Sequence, residues 1–114
     1  MGLDQTAYYV DEDNERVEIQ YWRKHNALQG WMENLWRNKG NDGEFNCTSV
    51  ELTEKDLAEL QDAVVNNELP ETHGFFYGAD SRFEVQQKQD TLEFIETAKR
   101  VMQTGKKVFY DSWW

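Results

Sequence analysis

The chain has one cysteine, one proline and two histidines in 114 residues, and these shortages exclude several classes of protein at the outset. Cys47 has no partner for an internal disulfide, so the sequence fits a reducing compartment and needs no oxidising one. His25 and His73 with a lone thiol match no zinc-ligand spacing, and neither a metal nor a cofactor is expected. Cys47 also lacks the flanking groups that would make it a convincing nucleophile. Basic side chains are scarce: 12 Lys and Arg face 22 Asp and Glu. The resulting formal charge of −10 favours solubility and works against binding duplex phosphates. There is no glycine-rich phosphate cradle and no internal repeat. No apolar run approaches the roughly 20 residues that span a bilayer, and no basic-then-apolar leader is present. The expectation is a cytoplasmic protein with no membrane partner and with nucleic acid disfavoured. The start Met1-Gly2-Leu3-Asp4-Gln5-Thr6 matches the loose myristoylation pattern. So short a pattern recurs by chance, and a single acyl chain anchors only weakly.

Aromatic residues are abundant instead, with 6 Phe, 5 Trp and 5 Tyr. Burying each removes roughly 150 to 250 Å² from water, about 4 to 6 kcal/mol by area bookkeeping. One core is therefore credible in a chain too short to divide, and a single domain over residues 1–114 is expected.

Residues 5–10 form a β-favouring run that ends at Asp11-Glu12-Asp13-Asn14, and Val17, Ile19 and Tyr21 then alternate with polar residues, so an N-terminal hairpin is expected. From about Trp22 the period becomes helical, with Tyr21, His25, Leu28, Met32 and Leu35 in steps of 4 and 3 and a stop at Gly40. Residues 45–52 read as a short strand, and Thr53 as the N-cap of a second helix with Leu57, Leu60 and Val64 inward. After Leu69-Pro70, the aromatics Phe75, Phe76 and Tyr77 between two glycines read as a loop entering a short buried strand. Residues 79–89 are polar and read as irregular. Asp90-Thr91-Leu92-Glu93 resembles a capping box, so a third helix is expected over residues 91–104, with Phe94, Ile95, Ala98, Val101 and Met102 inward and Gly105 as its stop. Residues 107–114 close the chain as an aromatic strand. The sum is an α+β domain of about three helices packed on a small antiparallel or mixed sheet of about five short strands.

Several scattered stretches are familiar: Met1-Gly2-Leu3-Asp4, Tyr21-Trp22-Arg23-Lys24-His25-Asn26 followed by Trp31, Leu69-Pro70 with Gly74-Phe75-Phe76-Tyr77-Gly78, and Tyr110-Asp111-Ser112-Trp113. In these, and in their order along nearly the whole chain, the sequence resembles a family of small proteins encoded by bacteriophages, prophages and some bacteria, for which no activity is established. The resemblance implies a phage-type origin and, with it, the cytoplasm of an infected or lysogenic bacterium. The chain departs from the family at Gln5, where relatives tend to carry Met, and at Thr72-His73, which puts a catalytic role for His73 in doubt.

Three functions are open at this level. The abundance of aromatics and the lack of a catalytic constellation favour a non-enzymatic accessory protein. It would bind a host or phage protein through an aromatic surface containing Trp31, Trp113 and Trp114. On a helical wheel Lys24 and His25 fall on or beside the apolar face. A second reading is therefore a small-ligand or enzymatic site of Trp22, Arg23, Lys24, His25 and Asn26, closed by Thr72 and Tyr77. Its plain alternative is that Lys24 lies along Trp31 and His25 hydrogen-bonds in the core. Residues 22–39 carry +3 against −13 elsewhere, which fits internal ion pairing or an anion site. The third reading, an acidic DNA mimic, requires a long exposed array of carboxylates.

Overall fold

A computed structural model describes residues 3–66, 68–69 and 81–113, with the backbone alone for 81–84. Within them the order is β1 (Asp4–Val10), β2 (Arg16–Arg23), α1 (Asn26–Asn38), β3 (Thr48–Leu52), α2 (Glu54–Val65), α3 (Ser81–Gln103) and β4 (Val108–Trp113). The four strands form one antiparallel sheet in the order β2-β1-β4-β3. The α+β class and the three helices are as expected. Four strands stand among the described residues where about five were expected, and the expected strand around Phe75-Phe76-Tyr77 lies outside them.

The hairpin forms because Asp11 accepts the Asp13 and Glu15 amides at 2.8 and 2.9 Å and Asn14 takes the left-handed conformation at φ 62°. Between Ala7 and Tyr8 the register slips, leaving Ile19 unmatched. The second helix starts as the sequence requires: Thr53 accepts the Asp56 amide at 3.1 Å while the Asp56 carboxylate accepts the Thr53 amide at 2.9 Å. Lys39 donates to the same carboxylate at 2.8 Å and to the Glu51 carbonyl at 2.9 Å, which ties the end of α1 to the start of α2. Burial pushes the Asp56 carboxyl up, but the bonds from Lys39 and Thr53 outweigh it and hold it below the usual range.

Alternation along the strands puts Ala7, Trp22, Val50, Leu52, Val108 and Tyr110 on one face of the sheet. There they meet Leu28, Met32 and Trp36 of α1, Leu57, Leu60 and Val64 of α2, and Phe94, Ile95 and Ala98 of α3 in a single core. Phe45 enters that core from the loop before β3, 5.1 Å from Trp36 and 6.2 Å from Tyr110 between ring centres. All three helices contribute to this face. The opposite face carries no helix among the described residues.

Two boundaries correct the sequence reading. The first helix starts at Asn26, and Trp22 belongs to β2, whose alternation carries it into the core while Tyr21 is 45% exposed. The third helix is already present at Ser81, its first described residue, and runs through the stretch read as irregular. The apparent cap at Asp90-Thr91 is internal to it: Thr91 donates back to the Gln87 carbonyl at 2.8 Å, and Asp90 accepts from the Gln86 side chain at 2.9 Å.

Candidate functional site

The stretch from Trp22 to Asn26 is a strand-to-helix turn held from below by Gln5. Lys24 adopts φ 59°, its amide donating to the Leu3 carbonyl at 2.8 Å, and its carbonyl accepts from Gln87 at 3.3 Å. This reversal lets the chain leave β2 and enter α1 within two residues. Gln5, fully buried on β1, clamps the next peptide: its Oε1 accepts the His25 amide at 2.8 Å and its Nε2 donates to the His25 carbonyl at 2.8 Å. The same Nε2 donates to the Tyr110 hydroxyl at 2.9 Å, which in turn donates a hydrogen bond to Gln29 Oε1 at 2.5 Å, and Gln29 Nε2 donates to the Phe45 carbonyl at 3.4 Å. One buried chain of bonds thus joins β1, β4, α1 and the loop before β3.

This arrangement is poorly suited to acid-base chemistry. Burial lowers the His25 pKa to about 4, so the imidazole is neutral, and neither ring nitrogen has a partner among the described residues. Burial pushes the Tyr110 hydroxyl well above its usual range, against the opposing effect of Gln5. Trp22 turns inward, its Nε1 donating to Thr91 at 3.1 Å and its ring meeting Phe94 edge-on at 5.2 Å. Arg23, the next residue along the strand, is exposed on the other face, so Trp22 and Arg23 do not line one pocket. Asn26 is the half-buried first residue of α1. Thr72, His73 and Tyr77 lie outside the described residues. The hydrogen bond expected from the His25 side chain to a backbone carbonyl is not made among the described residues; the His25 main chain is bonded instead, to the Gln5 side chain.

The open face is a different surface. Cross-strand pairing sets Asp4, Thr6 and Tyr8 of β1 opposite Trp113, Asp111 and Phe109 of β4. Toward β2 the same three residues face Arg23, Tyr21 and Glu18. Ser49 and Glu51 of β3 face Asp111 and Phe109. Tyr8 and Phe109 stack at 5.3 Å, and Arg16 lies over the Tyr8 ring at 4.0 Å. Arg16 donates to Asp111 and to the Tyr8 hydroxyl, both at 3.0 Å, and that hydroxyl is 2.8 Å from Ser49 Oγ. Tyr8 is buried here yet stands outside the main core. The Tyr21 hydroxyl donates to Asp4, and this bond is the chief cause that raises its pKa. Trp113 makes no such contact among the described residues and is 66% exposed.

Of the three tryptophans expected on an aromatic surface, Trp113 is on this open face. Trp31 is half-buried on α1, packed against the core on the covered side of the sheet, so it does not share a surface with Trp113. Trp114 lies outside the described residues. The sequence reading missed Gln5, Asp4, Tyr8, Arg16, Phe109 and Asp111. The signal for most of them was present in the alternation of β1 and β4, had the second face been read as well as the first.

Among the described residues, no three His, Cys, Asp or Glu side chains are grouped to hold a metal ion, and no helix is long and apolar enough to cross a membrane. The fold and surface define a small α+β domain with helices on one side of its sheet and an aromatic, partly charged face on the other. Compared with protein-family models, curated proteins and solved structures, the chain matches none.

Proposed function

We propose that this is a non-enzymatic accessory protein of phage type that binds a host or phage protein through the open face of its sheet. The observation that carries the reading is Trp113, two-thirds exposed on the face that also carries Tyr21 and the stacked Tyr8–Phe109 pair and on which no described helix packs. Leaving so large an apolar ring in water is unfavourable, and covering it would stabilise a complex; exposed tryptophans and tyrosines are the side chains that most often dominate such interfaces. The buried turn at Lys24 and His25 fits a structural role better, because its hydrogen bonds are directed inward. The carboxylates of the open face are interrupted by Arg16 and Arg23, and those of α2 by Lys55, which does not favour a DNA mimic.

The test is capture from a bacterial lysate with the wild-type chain beside Trp113→Ala. The expected result is a protein retained by the first and lost by the second, with both chains equally folded. Equal retention by the two would count against the face.

A further inference from the structure

Resting on the reading just given, we infer that the segment which docks on the open face is basic, with an arginine or lysine side chain lying against Trp113 and pairing with Asp4. The face itself shows the recognition. Arg16 is held there between an aromatic ring and a carboxylate, over Tyr8 at 4.0 Å and bonded to Asp111 at 3.0 Å. Two residues further along β4, toward the other end of the sheet, an aromatic ring and a carboxylate again stand side by side, with no cation in ion-pair contact with the carboxylate among the described residues. Trp113 stands directly opposite Asp4, and Asp4 is fixed through Oδ1 by the Tyr21 hydroxyl while its Oδ2 has no partner among the described residues. Arg23, the register partner of Asp4 on β2, acts on the neighbouring Tyr21 at a distance but makes no ion-pair contact with Asp4 among the described residues.

Charge selects among occupants. Asp4, Glu18, Glu51 and Asp111 outnumber Arg16 and Arg23 on this face, and the chain as a whole carries −10. A nucleic-acid strand would find aromatic rings to stack on, but its phosphates would meet these carboxylates. A second copy of the chain would bring another −10 to the same face. A polypeptide carrying arginine or lysine is attracted by the field, can place its guanidinium or ammonium group over an indole, and needs no rearrangement of the sheet.

The probe is a capped hexapeptide of alternating Arg and Ala, with two counterparts in which citrulline or Glu replaces every Arg. Binding is followed by the indole resonance of Trp113 and the ring resonances of Tyr21. The Arg peptide is expected to shift both saturably, with affinity falling as salt is raised, and the citrulline and Glu peptides to leave them unmoved. Asp4→Asn is expected to weaken binding at least tenfold. Glu59→Gln, an equal charge change on α2, should weaken it less than twofold. Trp113→Ala provides a second loss that does not touch the Asp4–Tyr21 bond. Equal effects of Asp4→Asn and Glu59→Gln, or equal binding of the citrulline peptide, would overturn the basic segment while leaving the face as a docking surface. If neither a peptide nor a captured partner moves any resonance of the face, the docking reading itself falls and takes this inference with it.

Discussion

At the scale of single residues, His25 and Gln5 make the sharpest claims. A histidine whose pKa is about 4 in the folded chain and about 6.5 when unfolded stays neutral in the fold while the unfolded chain gains a proton. Its contribution is fully present above about pH 6.5 and is lost as pH falls toward 4. The loss is on the order of 3 kcal/mol. Urea unfolding at a series of pH values should show this decline in the wild type and a flatter profile in His25→Leu, and identical profiles would contradict the burial of a neutral imidazole. Gln5→Met removes both bonds to the His25 main chain and one to Tyr110. Leaving such groups unpaired costs about 2 to 4 kcal/mol in total, read as a lowered urea midpoint at unchanged slope. An unchanged midpoint would mean that the clamp adds nothing. Nothing in the sequence marks Gln5 for this task, because a lone polar residue in a strand looks the same whether it faces water or a buried peptide.

At the scale of elements, the parts governed by local chemistry were legible. Thr53 and Asp56 announce α2, Gly105 at φ 88° stops α3, and Leu57, Leu60 and Val64 mark the buried stripe. The junction of β2 and α1 was not legible, since Tyr21, His25, Leu28 and Met32 happen to keep helical spacing across a turn that breaks the helix. Burial of Trp22 by strand alternation and the left-handed Lys24 decide the matter, and both depend on contacts with Leu3, Gln87 and Phe94 far along the chain. The early part of α3 was missed for the opposite reason: residues 81–90 are mostly polar in sequence, and a stretch rich in Gln, Lys and Glu lacks the apolar stripe by which helices are recognised. The junction carries its own prediction. Lys24 occupies a conformation that costs an L-residue about 1 kcal/mol or more, and glycine takes it freely. Lys24→Gly should therefore raise the unfolding free energy by about 0.5 to 1 kcal/mol, after allowing for the greater freedom of glycine in the unfolded chain. A loss of 1 kcal/mol or more would show that the lysine side chain, and not the turn, is what matters at this position.

At the scale of the whole molecule, the sheet has a covered side that holds the core and an opposite side on which no described helix packs, the side proposed to meet another protein. The aromatic residues among the described ones are divided between the two sides. Phe45, Phe94, Trp22, Trp36 and Tyr110 serve the core, whereas Tyr8, Tyr21, Phe109 and Trp113 lie on the other face. Composition alone could not separate the two sets, because separation depends on strand register. A net charge of −10 disfavours contact between copies of the chain and, on the proposal above, would draw a basic partner toward the open side. The most direct measurement is the affinity of the partner captured by the wild-type chain for three proteins: wild type, Trp113→Ala on the open face, and Val65→Ala on α2. Val65 is the control, an exposed apolar side chain carried on a helix. Removal of Trp113 is expected to cost at least tenfold in Kd and removal of Val65 less than twofold, whereas equal effects, or a larger loss at Val65, would contradict binding through the open face.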